Sequence, residues 1–427
     1  MKKKLLLIQF NEVNFEILKK YNLSKLKNFK TILNNLKTTS AEKQYKYLEP
    51  WIQWVSVYTG KSAEEHKIFR LGDIINNEIE QIFELVEKNG YSVGSILPMN
   101  CSNKLKKADY FIPDPWTQTE CNNNFWIKMM TEVFSQVVND NSKNKINYKN
   151  YLKLFMIFFK FSNKKKIFKY IKLLFKSKNN KYNKAIFFDL LIHDIHITLL
   201  EKYKTDFSSI FFNGCAHIQH HYFFNSPFVE KKNKNPQWYL KGNVDPLYEI
   251  LLIYDEILGE YIRLNYDFIL ATGLSQIPSD NLIYYYRLKN HKSFLRNLKI
   301  DFKNLYPRMT RDFLIEFDNE EKKNDAKKIL ENLITEKNEK IFSEIDSRSK
   351  SLFVTLGYSK EIKKNDTIIY NKKKINFYEN VSFVALKNGI HSENGYIYFS
   401  ENIENNNFQN NLHVKNIYNS IKDYFHV

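Results

Sequence analysis

Short apolar runs, separated by segments with helical periodicity, are the feature that most constrains the fold of this chain. Four such runs are found, at residues 4–10, 91–97, 207–212 and 266–271. The first ends abruptly at Asn11 and Glu12, and residues 247–262 are apolar at helical spacing. Buried parallel strands have this pattern, because helices cover both faces of a parallel sheet. The sequence therefore predicts an α/β fold, a three-layer sandwich with a mostly parallel central sheet.

Two segments interrupt this pattern and are predicted to be inserted cap segments. In the first, residues 116–184, the stretch 151–176 interleaves aromatic and aliphatic residues with lysines and has no acidic residue. One interpretation is a helix pair that packs its apolar stripe on the main domain. The other is a basic amphipathic surface in peripheral contact with an anionic membrane. The second insertion is residues 281–379, which leaves residues 1–115, 185–280 and 380–427 as the core.

Composition limits the partners and the compartment. The chain has 427 residues, 43 % of them apolar, and a net charge of +18. Such a charge attracts phosphates, acidic glycans, anionic lipid or nucleic acid. Nucleic acid is the least favoured partner, because no RNA-recognition or zinc-finger pattern is present. Three cysteines without CxxC spacing and a first apolar run too short for a signal peptide indicate a cytoplasmic protein, with peripheral attachment to the inner membrane face as the alternative.

Histidines mark a candidate metal site. His217, His220 and His221 lie within five residues after a predicted strand, where imidazoles can ligate a metal ion. His391 lies in a Gly-x-His-x-x-x-Gly segment, predicted as a turn between two short strands. Oxygen ligands would come from the end of the first strand. The predicted metal ligands are Asn11, Glu12, His220 and His391, whereas His193, His196, His413 and His426 are predicted to be structural.

The order of these pieces resembles the alkaline phosphatase superfamily, in its type I phosphodiesterase and sulfatase-like branch. Asn11 and Glu12 stand where that family has its first metal-binding aspartate. The segment 56–60 (SVYTG) resembles the S-x-x-T-G run downstream of the family nucleophile, and 216–220 (AHIQH) resembles the D-x-x-Q-H metal motif. The segment 389–391 (GIH) resembles the final G-x-H metal motif. The resemblance covers roughly residues 1–110, 185–280 and 380–427.

The chain departs from the family pattern at three places. Counting back from Thr59 and Gly60, the nucleophile position falls at Pro50, which has no hydroxyl. Ala216 replaces the aspartate of D-x-x-Q-H, and the segment 271–275 (ATGLS) lacks the Asp and His ligands of the family S-D-H-G motif. The remaining ligands would be divided between two depleted sites. We therefore expect one divalent metal ion, zinc or manganese, or no metal, instead of a two-metal centre.

The resemblance implies an atypical enzyme that hydrolyses or transfers a phospho- or sulfo-substituent on a sugar or lipid-linked glycan, in surface polysaccharide (capsule) biosynthesis. The alternative is a catalytically inactive relative that binds an anionic glycan or a partner protein. The predicted catalytic residues are Glu49, His217 and His220. The predicted substrate-binding residues are Gln53, Trp54, Arg287, His291 and Arg311.

Overall fold

The computed structural model describes residues 3–139, 147–229, 234–308, 311–371, 373–403 and 408–427. The chain divides into two compact units. We call Met1–Asp280 with Gly389–Val427 the core unit and Asn281–Asn388 the inserted unit. The finer division, with residues 116–184 as a separate insertion, stays a prediction.

The strands are, in chain order, β1 (Leu5–Phe10), β2 (Lys37–Ser40), β3 (Val93–Ile96), β4 (Tyr110–Ile112), β5 (Phe207–Phe212), β6 (Asp267–Ala271), β7 (Ser275–Leu288), β8 (Asn304–Pro307), β9 (Asp312–Glu316), β10 (Ile334–Thr335), β11 (Phe342–Arg348), β12 (Ser351–Leu356), β13 (Thr367–Tyr370), β14 (Lys373–Asn376), β15 (Val381–Ser392), β16 (Asn394–Phe399) and β17 (Leu412–His413).

The α-helices are α1 (Phe15–Leu18), α2 (Lys27–Ile32), α3 (Pro50–Thr59), α4 (Ala63–His66), α5 (Ile82–Lys88), α6 (Phe125–Asn139), α7 (Tyr148–Phe161), α8 (Ile167–Ser177), α9 (Asn183–Tyr203), α10 (Gly214–Tyr222), α11 (Pro246–Ile262), α12 (His291–Asn297), α13 (Glu320–Glu331), α14 (Phe377–Asn380) and α15 (Asn416–Phe425). Within the described ranges, each helix is too short or too polar for a bilayer crossing.

The central sheet of the core unit has the strand order β17-β2-β16-β6-β1-β5-β3-β4. The neighbours β6, β1, β5, β3 and β4 are parallel, whereas β16 runs antiparallel to β6 and β2. The predicted α/β class with a mostly parallel central sheet is confirmed. Because parallel strands end at the same edge, the residues that follow β1, β5 and β6 are brought together there.

Helices cover both faces of this sheet. Successive side chains of a strand point to opposite faces. The Phe211 ring at the end of β5 contacts Trp54 of α3, whereas the next residue, Phe212, contacts Tyr254 of α11. The strand therefore lies between two helical layers, as expected for a three-layer sandwich.

The inserted unit has its own sheets and core. Its strands form an antiparallel sheet in the order β11-β12-β9-β8 and a smaller sheet in the order β10-β13-β14. Its buried apolar side chains include Phe313, Ile315, Leu352 and Val354. These side chains come from the alternating apolar positions of β9 and β12, so the unit has a hydrophobic core of its own.

Three elements differ from the sequence prediction. The helical periodicity of residues 15–36 predicts a single helix. The Asn22 side chain instead accepts bonds from the N–H and hydroxyl of Ser24, which favours a turn between α1 and α2. The helical pattern of residues 318–340 predicts one helix over that range. The helix begins after its cap Asn319 and ends at Glu331, before β10. His391, expected in a turn, lies within the extended strand β15.

Candidate metal centre

The candidate site lies at the carboxyl edge of the central sheet, where Glu12 follows β1. Its φ of 60° lies in the left-handed region that residues with a side chain rarely adopt. The Glu12 N–H donates to the carbonyl of Thr272 (3.0 Å), and the Glu12 carbonyl accepts from the Gln219 side chain (2.6 Å). These two bonds hold the unusual turn, which leaves Glu12 only 2 % exposed.

Three side chains from distant parts of the chain converge there. Glu12 Oε2 lies 3.2 Å from Nε2 of His220 and 3.3 Å from Nε2 of His391. The two imidazole nitrogens are themselves 3.3 Å apart. Glu12 follows β1, His220 is on α10 and His391 is on β15, so the fold itself brings the three together. One potential ligand atom from each lies within 4.8 Å of the others.

The outer nitrogens of both histidines face groups that only accept hydrogen bonds. Nδ1 of His220 lies 3.4 Å from the carbonyl oxygen of Gly389, and Nδ1 of His391 lies 3.4 Å from Oε2 of Glu49. In a neutral imidazole the proton is then on Nδ1, which leaves a lone pair on the Nε2 that faces the cluster. Metal-binding histidines usually make this outer hydrogen bond, to a carbonyl or a carboxylate. The three residues therefore fit a metal ion.

The electrostatics of Glu12 also favour a cation. Burial alone would raise the pKa of its carboxyl, but the adjacent His391 and His220 outweigh this and hold that pKa well below its ordinary range. Glu12 is thus an ionised carboxylate inside the protein, and a buried charge needs a compensating charge. The two adjacent histidines, or a divalent cation bound between them and Glu12, would supply this positive charge.

Two glutamines that were not predicted support Glu12. Gln276 Nε2 donates to Glu12 Oε2 and to the carbonyl of Ala216 (3.0 Å). Gln219 donates through Nε2 to the Glu12 carbonyl and accepts at Oε1 from the N–H of Asn14 (3.0 Å). Gln219 directly precedes His220, and Gln276 directly follows the 271–275 segment. The sequence shows that both glutamines lie next to the motifs, but it does not show that their side chains point toward Glu12.

Gly389 is required by close packing at this site. A Cβ atom there would lie 2.2 Å from Gln276 Oε1 and 2.8 Å from the backbone carbonyl oxygen of Gln219. The glycine lets β15 approach α10 closely enough for His391 to reach His220. The close contact at Gly389 thus occurs within strand β15, whereas the sequence predicts a turn there.

Asn11 makes three hydrogen bonds beside Glu12. Trp54 Nε1 donates to Asn11 Oδ1 (2.8 Å), and Asn11 Nδ2 donates to Glu12 Oε1 (2.9 Å) and to Asn213 Oδ1 (2.8 Å). An indole N–H only donates and a carboxylate only accepts, so the orientation of the amide is determined. Asn11 therefore orients Glu12 through Nδ2, and its Oδ1 is bound by the Trp54 indole; its role as a metal ligand stays a prediction. Trp54 is fully buried and, in turn, orients Asn11.

Glu49, Gln53 and His217, also predicted as site residues, lie in the same compact unit as the converging three. Glu49 precedes α3, which begins at Pro50, and its side chain is 34 % exposed. Gln53 is buried and donates through Nε2 to the carbonyl of Tyr47 (2.7 Å). His217, on α10, is half-buried beside the His221 ring, and burial and then the nearby His220 lower its pKa to about 4. The catalytic role of His217 and the substrate role of Gln53 stay predictions.

Arg287, His291 and Arg311 lie in the inserted unit. The Arg311 guanidinium is 4.5 Å from the centre of the Tyr285 ring. The His291 ring contacts Phe313, and burial, followed by the charge of Arg287, lowers the His291 pKa to about 4. Arg287 is half-buried, which lowers its pKa. Their predicted role in binding an anion stays a prediction.

No protein-family model matches the sequence, and no curated protein is significantly similar to it. Among solved structures, phosphonoacetate hydrolase from Sinorhizobium meliloti 1021 overlaps with a TM-score of 0.45 at 10 % identity, covering 99 % of this chain and 96 % of that one. Human ectonucleotide pyrophosphatase / phosphodiesterase 5 overlaps with a TM-score of 0.45 at 12 % identity, covering 100 % and 95 %. Alkaline phosphatase from the Antarctic bacterium TAB5 overlaps with a TM-score of 0.40 at 10 % identity, covering 100 % and 99 %.

Each overlap is a similarity to a solved structure at a TM-score below 0.5. The resemblance to the alkaline phosphatase superfamily rests on the sequence motifs and stays a prediction for this chain. The fold rests on the sheet order of the chain, and the site rests on its own contacts.

Proposed function

We propose that this protein is a phosphoester hydrolase or phosphotransferase that works with one divalent metal ion, zinc or manganese, held by Glu12, His220 and His391. The observation that carries the proposal is the shared orientation of the two histidines, each with Nδ1 on an acceptor and Nε2 toward the Glu12 carboxylate. Two imidazoles and one carboxylate are a donor set that zinc binds in catalytic sites, with a further position left for water or substrate. A bound ion of this kind acts as a Lewis acid toward a phosphoryl oxygen.

Glu49 is the group of this chain best placed to move a proton. Its carboxylate contacts His391 and remains one-third exposed, so it can be reached by water or by an acceptor hydroxyl. The helix that it precedes begins with Pro50, which offers no hydroxyl nucleophile. We therefore infer that the acceptor, either water or a hydroxyl group of a second substrate, attacks phosphorus directly and loses its proton to Glu49. The P–O bond to the leaving alcohol breaks as the new P–O bond forms, and the leaving oxygen takes up a proton from the protonated Glu49 or from solvent.

The substrate class is the finer part of the proposal. A net charge of +18 favours an anionic substrate. We propose a phosphorylated or sulfated sugar or lipid-linked glycan, in a step of surface polysaccharide (capsule) biosynthesis, with Arg287, His291 and Arg311 as candidate anion-binding residues. Three free cysteines are consistent with work in the reducing cytoplasm, at the inner membrane face.

The second candidate is a relative that has lost catalysis and binds an anionic glycan or a partner protein. Pro50 at the nucleophile position and Ala216 in place of a ligand favour it. The retained support of Glu12 by Gln219, Gln276 and Asn11 opposes it, because a site without a metal ion does not require a carboxylate to be held so closely.

The test is the metal content of protein purified without chelator, measured by elemental analysis, together with hydrolysis of bis(p-nitrophenyl) phosphate and p-nitrophenyl phosphate. We expect near-stoichiometric zinc or manganese and measurable turnover in the wild type. Both are lost in His391→Ala. The matched control is His221→Ala, which removes another histidine of the same segment as His220 and is expected to keep both.

Each other result has a defined meaning. A metal-free wild type, or full metal content in His391→Ala, refutes the assigned ligands. Bound metal without turnover of phosphate or sulfate esters supports the second candidate. Glu49→Gln is expected to keep the metal ion and to lose most turnover, so retained turnover would remove Glu49 from the mechanism.

A further inference from the structure

Helix α7 presents an unusually large apolar stripe to solvent. Its exposed apolar side chains are Tyr148, Tyr151, Leu152, Phe155, Met156 and Phe159. They recur at spacings of three and four residues, so they lie along one side of the helix. The opposite side contributes Ile157 and Phe161 to the interior. Phe155 and Phe159, at 59 % and 61 % exposure, are the most exposed phenylalanines of this helix.

Helix α8 repeats the arrangement. Phe168, Ile171, Leu174 and Phe175 are exposed, with Phe168 at 82 % and Phe175 at 64 %. Tyr170 and Leu173 of the same helix are buried. Each helix thus has two apolar sides, one of which is used in folding. Large apolar side chains so concentrated on a surface mark an interaction site.

The two helices are firmly attached to the core unit, so the exposure does not come from loose packing. The Tyr170 ring contacts Phe158 of α7 and Phe187 of α9, at 5.0 and 5.1 Å between ring centres. The Tyr170 hydroxyl donates to Asp194 of α9 (2.7 Å). Lys176 of α8 pairs with Glu249 of α11 (2.8 Å). The apolar stripes are therefore presented on a fixed platform.

The charged residues that belong to the α7–α8 segment itself are all basic. Residues 141–188 contain no aspartate or glutamate. The exposed lysines are Lys149, Lys160, Lys164, Lys165, Lys172 and Lys178. Lys178 lies 5.2 Å from the centre of the Phe175 ring, so cationic and apolar groups are in direct contact. Long lysine side chains can keep their ammonium groups at headgroup level while the neighbouring apolar groups enter the acyl region.

We propose that the exposed sides of α7 and α8 form a docking surface for an anionic lipid bilayer, in which the phenylalanines insert and the lysines bind the headgroups. A second copy of the chain is a poorer match. A two-fold contact through this surface would place lysines of one copy against lysines of the other, because the segment has no acidic residue to pair with them. The proposal concerns binding alone and does not depend on the proposed catalysis.

The experiment is cosedimentation of the full chain with vesicles of equal parts phosphatidylglycerol and phosphatidylcholine, and with vesicles of phosphatidylcholine alone. We expect at least about tenfold tighter binding to the anionic vesicles, weakened by added salt. Phe168→Ser/Phe175→Ser is expected to weaken binding by about tenfold or more. Lys164→Gln/Lys165→Gln should weaken binding to the anionic vesicles and leave binding to phosphatidylcholine unchanged.

The matched control is Tyr45→Ser/Tyr306→Ser, which removes aromatic residues of 63 % and 42 % exposure from other parts of the chain. It should bind like the wild type. Circular dichroism and urea denaturation establish that each variant is folded. Equal binding by the phenylalanine variant and the control overturns the proposal. So does preferential binding of a single-stranded oligonucleotide, or a dimer in light scattering that the phenylalanine variant abolishes.

Discussion

Among the described residues of the core unit, two groups of histidine and carboxylate side chains could hold a metal ion by distance alone, and they differ in how their charge is balanced. One is Glu12, His220 and His391, and the other is His193, Asp194 and Glu260. In the second group, Lys166 Nζ lies 2.8 Å from Asp194 Oδ1 and 2.7 Å from Glu260 Oε1. Lys166 is 7 % exposed, so its ammonium group is a buried positive charge that balances the two carboxylates.

The other carboxylate oxygens of the second group and Nε2 of His193 are also hydrogen-bonded. Asp194 Oδ2 accepts from the Tyr170 hydroxyl (2.7 Å) and from the N–H of Asn163 (2.7 Å). His193 Nε2 lies 2.9 Å from Glu260 Oε2. Burial lowers the pKa of His193, so its neutral ring donates to that carboxylate. This group is a structural ion network, as the sequence analysis expected for His193.

Glu12, in contrast, has its ion pairs with two imidazoles whose outer nitrogens face acceptors. The same residue types therefore give a structural network where a lysine is buried with them and a candidate metal site where histidines face a carboxylate. Counting ligand atoms does not distinguish the two, but the source of the positive charge does.

The largest expected effect is on the lysine-containing group. Lys166→Met leaves the buried Asp194 carboxylate and the partly buried Glu260 carboxylate without their ammonium partner, which should lower the free energy of unfolding by about 3–5 kcal/mol. Metal content should not change. Urea denaturation and elemental analysis measure the two quantities. Lys172→Met, at an exposed lysine nearby, is the control and should change stability by less than about 0.5 kcal/mol. A stable Lys166→Met that lost metal would reverse the assignment of the two groups.

A histidine in each group gives the next comparison. His220→Ala removes a ligand and should weaken metal binding by at least about 100-fold, since loss of an outer-shell partner alone costs about 10- to 100-fold. His193→Ala should leave metal binding unchanged and reduce stability. Titration with a competing chelator measures both. If both variants bound metal as tightly as the wild type, neither histidine would be a ligand.

A smaller change in metal affinity is expected when a hydrogen bond to Glu12 is removed. Gln276→Leu removes the amide that donates to Glu12 Oε2 and keeps a side chain of similar length. Metal affinity should fall by about tenfold, as for other outer-shell changes. Chelator titration and urea denaturation together separate this from a packing defect. Reduced stability with unchanged metal affinity would limit Gln276 to packing.

The smallest effect is the pH dependence of the ion network. Burial alone would raise the pKa of Glu260, but His193 and Lys166 outweigh it and lower that pKa from 4.5 to about 2. The stabilisation from the Glu260 carboxylate is therefore complete above about pH 5 and is lost as the pH falls toward 2. The stability difference between wild type and Lys166→Met should shrink over that interval. A difference that stayed constant from pH 6 to about pH 3 would contradict the ion pair as its source.

Much of the candidate site was predictable because strand ends are visible as breaks in apolar runs. The run at residues 4–10 became β1, and Glu12, directly after it, is in the cluster together with the predicted His220 and His391. The sequence interpretation divided these ligands between two depleted sites, and the structure brings them into one. That error has a simple cause, since spacing along the chain does not give the distance between α10 and β15.

Side-chain direction was not predictable either. Asn11 was expected to ligate, but its amide is oriented by Trp54, which lies 43 residues further along the chain. Trp54 is predicted to bind substrate, but its side chain is fully buried and hydrogen-bonded to Asn11. Lysines are abundant in this sequence, so nothing local distinguishes Lys166 as the one that enters the interior to meet Asp194 and Glu260.

The sequence by itself determined the α/β class, the place of the carboxyl-edge residues and the amphipathic character of α7 and α8, because these depend on the local periodicity of apolar and polar residues. Only the tertiary structure decided in which group the carboxylates are paired with a buried lysine and in which group the carboxylate is paired with two histidines. Charge interactions inside a protein depend on separations of a few ångströms, and those separations are set by how distant strands and helices pack together.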